Sequence, residues 1–315
     1  MTSTPPAIEV RGLTKRYGSV TAVDDLSFSV AAGRVTGFLG PNGAGKTTTM
    51  RILLGLARAD GGEARVLGRL YRGLDAPVRS VGAALEITGF HPGRTARSHL
   101  RVAATQAGLA DPSAIATTAL TRVGLDEAAD RRVGGFSAGM RQRLALASAL
   151  IGDPSVLVLD EPSNGLDPAG VAWLRRFLRH FASQGGAVLV SSHLLAEVAQ
   201  TVDELVVIDR GRFVTSGPVD DIVGALGAAV VVRSPERERF RVLLEEHGAQ
   251  VGVASDGSLS VTGTSIESVG ELAAAYAVVL HELRRSGATL EEAFLHLTGG
   301  RDDAPTSPAR PGDAS

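Results

Sequence analysis

The sequence predicts an α/β protein: a large unit built on a parallel β-sheet, followed by a smaller α+β unit. Three observations carry that expectation. A short apolar run, Val35 to Leu39, leads straight into the glycine-rich octet Gly40-Pro41-Asn42-Gly43-Ala44-Gly45-Lys46-Thr47, and the residues beyond it can continue as a helix. Two further apolar runs, Val156 to Leu159 and Ala187 to Val190, end in polar residues, as strands buried on both faces of a parallel sheet do. After residue 228 the pattern becomes strand, helix, strand, strand, helix, strand, which is the ferredoxin-like order.

Composition narrows the function. At 315 residues the chain can bury a large core and still hold a second, smaller domain. The formal net charge of −2 leaves no broad basic field to attract nucleic acid or an anionic membrane, so no nucleic-acid partner is expected. Cysteine is absent, which excludes disulfides and thiol chemistry and suits a reducing compartment. The opening MTSTPPAIEV has no charged, then apolar, signal-peptide pattern. Runs such as VLVL and AAVVV are far shorter than the roughly 20 residues that span a bilayer. Any membrane role is therefore expected to come through a partner.

Taken in order, Ile8 to Tyr17 and Val20 to Val30 alternate apolar and polar residues like half-buried antiparallel strands around the turn at Gly18. The strand Val35 to Leu39 and a helix over Thr48 to Leu56 flank the glycine-rich octet. Val81 to Glu86 reads as a second buried strand ending in an acid. Residues 92 to 150 are rich in alanine and leucine and read as a helical insert, with helices over Ser98 to Ala107 and Ser113 to Val123 and another capped by Ser137. Helices are also expected over Trp173 to Phe181 and Leu194 to Val202, with strands over Glu204 to Arg210 and Arg212 to Ser216. The last unit is expected to place strands at 228–233, 249–254, 258–261 and 278–283, helices at 235–247 and 266–276, and a closing helix over Leu290 to Leu297. The resulting domains are 8–225 and 228–300, with a polar, proline-rich, disordered tail at 301–315.

The octet fits the pattern G-x-x-x-x-G-K-[ST], whose chemistry is phosphate binding. Successive backbone N–H groups form a concave anion cradle, and Gly40, Gly43 and Gly45 permit angles and approaches that a Cβ blocks. Pro41, Asn42 and Ala44 complete the loop, and Thr48 opens the helix whose dipole points at the same phosphates. Lys46 is placed to reach the β/γ-phosphates and the Thr47 hydroxyl to ligate Mg²⁺. Only two lysines, Lys15 and Lys46, stand among the 32 basic residues, so the lysine here reads as a requirement for a compact ammonium. Asp160 and Glu161 follow a buried strand at the end where open α/β sheets bind ligands. Asp160 is expected to hold Mg²⁺ through water, and Glu161 to polarise an attacking water. Ser137 and Gly139 open a helix whose hydroxyl, amide and dipole suit a second anion site. His193 ends the Ala187 strand, where it either contacts a γ-phosphate or serves as a structural histidine. Tyr17 is either a strand-end packing residue or a stacking platform for a nucleobase.

Together these motifs resemble the nucleotide-binding subunit of ATP-binding-cassette (ABC) transporters over roughly residues 8 to 220. GPNGAGKTT resembles the Walker A motif, VLVLDEP Walker B, SNGLDP the D-loop, and SSH the switch histidine. FSAGMRQRL resembles the family signature usually written LSGGQ, with Ala138 in place of its first glycine. The resemblance implies a P-loop NTPase cassette with a RecA-like parallel core, an antiparallel β subdomain and the helical insert. It implies Tyr17 as the adenine-stacking aromatic and catalysis by Lys46, Glu161 and His193. Two cassettes, identical or related, would close head to tail on ATP and Mg²⁺, one supplying Lys46, Thr47, Asp160 and Glu161 and the other Ser137 and Gly139. A separate permease would place the chain at the cytoplasmic face of the plasma membrane. The stretch VGAALEITGFHPGRTARSHL and the closing LEEAFLHLTGG are similar to exporters of the daunorubicin- and bacitracin-resistance kind. Where the family has its Q-loop glutamine this chain has Glu86, a carboxylate that would also ligate Mg²⁺. The alternative is a soluble or regulatory ABC ATPase not coupled to transport.

Overall fold

The computed structural model describes residues 5–85, 89–192, 200–224, 229–254 and 256–286. β1 (Ile8–Tyr17) and β2 (Val20–Val30) form an antiparallel hairpin, and β4 (Gly61–Val66) joins the other edge of β1. Between them in sequence runs β3 (Val35–Leu39), buried along its whole length. It has to be, because β7 (Ala187–Ser192) and β8 (Glu204–Asp209) lie parallel to it on either side. The full order of this sheet is β5 (Val81–Ala84), β6 (Val156–Leu159), β7, β3, β8 and the antiparallel edge strand β9 (Arg212–Pro218). β7 is therefore wedged between β3 and β6. Phe28 of the hairpin stacks on Phe38 of the parallel sheet at 5.1 Å, joining the two sheets in one core with Leu26, Met50 and Leu53.

Helices begin where a short polar side chain can accept the first free N–H. The helices in question are α3 (Ala96–Gln106), α4 (Pro112–Arg122), α5 (Ala138–Ala149) and α6 (Pro168–Ser183). They are capped by Thr95, Asp111, Ser137 and Asp167 respectively. α1 (Lys46–Leu53) starts directly after Gly45, two residues earlier than the pattern suggests, and stops before Gly55 turns left-handed. α6 starts five residues earlier than expected, because Asp167-Pro168 supplies a cap and a first-turn proline. The short α2 (Pro77–Ser80) precedes β5. β5 is less buried than its sequence implies: it is a sheet edge, and Ala83 is exposed. Its Gly82 is needed for packing, since a Cβ there would lie 2.1 Å from the Ala149 carbonyl of α5. α7 (Val219–Gly224) follows β9. No helix among the described residues is long and apolar enough to cross a membrane.

The chain separates into two compact units, 1–222 and 223–315. In the second, β10 (Ala229–Arg233), α8 (Arg237–Glu246), β11 (Gln250–Val253), β12 (Leu259–Thr262), α9 (Ile266–Ala275) and β13 (Glu282–Ser286) give the expected order of elements. Its sheet runs β11-β12-β10-β13, antiparallel throughout, over a core of its own that includes Val230, Phe240, Leu244, Leu259, Val261 and Val269. The last strand is not at 278–283 but four residues further on. The left-handed Ala277 and a bond from Val278 N–H to Ala273 O (2.8 Å) spend the apolar residue on closing α9 and sealing the core. The ladder then uses ELRRS, charged as an edge strand should be. The expected helices over Leu194 to Val202 and Leu290 to Leu297, and the tail at 301–315, fall wholly or mainly outside the described residues.

Candidate active site

The C-terminal ends of β3 and β6 open on one cleft of about 230 Å³. Its floor is the loop Asn42 to Thr48, its far wall is Asp160 and Glu161, and Ala22 of the hairpin closes it at the side. The glycines are dictated by this crowding. A Cβ on Gly45, whose φ is +98°, would lie 2.3 Å from the Ala22 carbonyl, and one on Gly40 would lie 2.6 Å from that of Ile208. Ala22 was not legible as a cleft residue, because the hairpin reaches the loop only through the tertiary fold.

Lys46 is folded back onto the loop. Its Nζ donates to the carbonyls of Gly40 (2.5 Å) and Pro41 (3.1 Å), and the residue is only 7% exposed. Burial holds its pKa below the ordinary lysine range, with the nearby Glu161 and Asp160 carboxylates pulling the other way. The result is an ammonium held by weak, neutral acceptors at the point where phosphate oxygens would offer charged ones.

The acid side is a continuous relay. Thr47 Oγ1 donates to Asp160 Oδ2 at 2.6 Å, Ser191 Oγ donates to Asp160 Oδ1, and the Glu161 backbone N–H donates to Ser191 Oγ at 2.9 Å. Ser191 reaches both because β7 lies between β3 and β6, with Ser191 in register with Phe38 and Val190 with Leu159. Sequence reasoning overlooked Ser191; the signal was the polar ending of an otherwise apolar strand. Glu161 itself sits at φ +50°, a left-handed conformation that costs a non-glycine residue about 1 kcal/mol or more and gathers at functional sites. The hard oxygens of Thr47 and Asp160 fit Mg²⁺, which keeps most of its shell as water and phosphate. No group of three or more His, Cys, Asp or Glu that could hold a metal occurs among the described residues.

Ser137 and Gly139 are not in this cleft. They line a separate concavity of about 750 Å³ with Arg131, Met140, Arg143 and Leu166. The Ser137 hydroxyl caps α5 by accepting from Met140 N–H at 3.2 Å. The turn of residues 163–167 rests on this helix start: an ideal Cβ at Gly165 would be 3.2 Å from the Ala138 methyl. Arg143 of α5 stacks 4.5 Å from the Trp173 ring of α6. Tyr17 is 52% exposed at the end of β1, with Lys15 Nζ 5.2 Å from its ring centroid, and stands outside the lining of the cleft. Glu86 and His193 lie outside the described residues.

Comparison with known proteins gives this arrangement a family. The family model described as "ABC transporter" matches residues 23–164, and one described only as a domain of unknown function matches 228–291. The bacitracin transport ATP-binding protein BcrA of Bacillus licheniformis is 35% identical over 93% of this chain and 97% of its own length. The chain belongs to the ABC transporter ATP-binding proteins. A Nod factor export ATP-binding protein I of Ralstonia nicotianae is 36% identical over 93% of this chain and 94% of its own. A solved ATP-binding subunit of an ABC transporter superposes with TM-score 0.63 at 27% identity, covering 70% of this chain and 93% of that one. A dimeric structure of the bacterial cassette MJ0796 shares the fold at TM-score 0.62 and 20% identity, over 67% of this chain and 98% of that one. As an ABC cassette, the chain binds and hydrolyses ATP and works with a separate permease.

The relay predicts the effect of Ser191→Ala. Asp160 loses a donor and the part-buried Glu161 amide loses its acceptor, a cost of about 1–3 kcal/mol. ATPase turnover is expected to fall roughly 10- to 100-fold while the melting temperature drops by only a few degrees; steady-state kinetics with thermal melts checks this. Lys46 gives a second expectation. Its depressed pKa means that, between that pKa and the ordinary lysine value, the folded chain holds fewer protons than the unfolded one, so this term adds stability as pH rises. Nucleotide binding, which needs the ammonium, is expected to take up a proton in the same alkaline window. Calorimetry in buffers of different ionisation enthalpy reads that uptake; its absence would remove Lys46 as the group protonated on binding.

Proposed function

We propose that this chain is the ATP-hydrolysing subunit of an exporter of antibiotic-like or other small molecules, held at the cytoplasmic face of the membrane by its permease. The observation that carries the reading is similarity along nearly the whole chain to ATP-binding proteins named for bacitracin transport and Nod factor export. In the cleft, the loop amides of residues 42–48 and the Lys46 ammonium bind the phosphates, and Lys46 exchanges its carbonyl partners for phosphate oxygens. Thr47 and Asp160 hold Mg²⁺, which supplies charge neutralisation for the transferred phosphoryl group. Glu161 orients the attacking water and accepts its proton. Ser191 keeps both acids aimed by holding Asp160 at its carboxylate and Glu161 at its backbone.

Ser137 and Gly139 serve a second cassette's nucleotide, which explains why they line a different concavity from Lys46. Tyr17 stacks on the adenine from the hairpin rim. By its place in sequence, Glu86 adds a carboxylate to the Mg²⁺ shell and His193 contacts the γ-phosphate.

Glu161→Gln keeps nucleotide binding but removes the proton acceptor, so turnover is expected to fall about 10²- to 10⁴-fold. A closed, ATP-loaded dimer should accumulate on size-exclusion chromatography with Mg·ATP. A variant that binds ATP yet elutes as a monomer would count against the sandwich. Glu86→Ala is expected to raise the Mg²⁺ concentration needed for half-maximal turnover, and Glu86→Gln to leave it nearly unchanged. An unmoved midpoint in the alanine variant removes Glu86 from the metal shell.

A further inference from the structure

The sheet of the C-terminal unit has one guarded edge and one bare edge. At the guarded edge, β13 carries Glu282 and Arg284, paired with each other at the rim. β11 at the other edge is bonded, among the described strands, only to β12 and contains no charged residue. Charge on an edge strand is what ordinarily prevents edge-to-edge pairing, so an uncharged rim favours it.

The turn after β11 fixes which backbone groups face outward. Ala254 N–H donates to Ser258 O at 2.9 Å, and alternation along the ladder then turns Gly252 toward β12 and the N–H and C=O groups of Val251 and Val253 away from it. The side chains point the same way. Val253 lies opposite Leu259, which is fully buried, yet Val253 is 54% exposed. It is a residue on the core face of the sheet without a lateral neighbour.

We propose that β11 pairs antiparallel with β11 of a second copy of this chain, about a two-fold axis at Gly252, so that the two sheets continue as one. In that register Val251 and Val253 of one copy exchange N–H···O bonds with Val253 and Val251 of the other, and the exposed Val253 gains a valine neighbour. The occupant is a second copy because the strand is complementary to itself. Asp256 falls opposite Gly248 and His247 opposite Gly257, so no like charges face each other along the paired strands. The proposal rests on the reading that the cassette acts as two copies, but it uses none of the nucleotide-binding residues.

The absence of cysteine makes the test clean, since Gly252→Cys introduces a single thiol. A Cβ at Gly252 meets nothing nearer than Ser260 O at 3.9 Å, so the residue fits. Facing positions of this kind bring Cα atoms to about 4.5 Å, within disulfide range. Mild oxidation of the full chain is expected to give covalent dimer at least about ten-fold faster than Val279→Cys, an exposed control in the same unit. The rate should hold with or without Mg·ATP and in a Lys46→Ala background, where nucleotide-driven association is lost. Adding Val253→Pro, which deletes an outward N–H but no bond to β12, should return the rate to that of the control with an unchanged circular dichroism spectrum. A rate equal to the control, or one insensitive to the proline, overturns the pairing, as does cross-linking that requires ATP and vanishes with Lys46→Ala. Nucleotide-independent cross-linking without any ATP-driven dimer leaves the seam standing and removes the sandwich instead.

Discussion

The active cleft depends on one hydroxyl. Ser191 is the only side chain among the described residues that holds Asp160 by its carboxylate while accepting from the backbone of Glu161. It can do so because the sheet places β7 between the strand that carries the phosphate loop and the strand that carries the acids. Ser191 thereby fixes the two acids relative to each other, and the Thr47–Asp160 bond ties them to the phosphate loop. Strand order is thus converted directly into the spacing of catalytic groups.

Charge is distributed in the same spirit. Lys46 is buried against neutral carbonyls, its ammonium disfavoured by desolvation and only partly supported by the two carboxylates across the cleft. A fully satisfied lysine would bind phosphate poorly, because an ion pair would first have to be broken. A loop that offers only carbonyls keeps the cation in place without competing with a triphosphate. The left-handed Glu161 is the corresponding backbone device: the local cost is carried by the surrounding bonds so that the acid is aimed before nucleotide arrives.

Much of this was legible in the chain itself. The octet at residues 40–47 and the acids at 160–161 follow uninterrupted apolar runs, and short-range pattern is enough to place them at strand ends. What was not legible depended on the third dimension. The roles of Ser191 and Ala22 require knowing which strands become neighbours. The start of α6 is set by the Asp167-Pro168 cap, whereas the bulky apolar residues that mark a helix in the sequence begin only at Trp173. β13 was misplaced because an edge strand is polar, whereas the apolar residues just before it belong to the end of a helix. The separation of Ser137 and Gly139 from the Lys46 cleft is likewise a property of the fold, since in sequence they are simply another capped helix.

The close approach of Ala138 to Gly165 couples what the two positions can accept. Position 165 is confined to glycine twice over, by its φ of +75° and by the methyl 3.2 Å away. Of those two constraints, only the second depends on the alanine at 138. A side chain at 165 fits in space once the Ala138 methyl gives way by a few tenths of an ångström or is removed, whereas removing that methyl asks nothing of position 165. The two positions at this seam between signature and D-loop are therefore coupled in one direction: what fits at 165 depends on the side chain at 138.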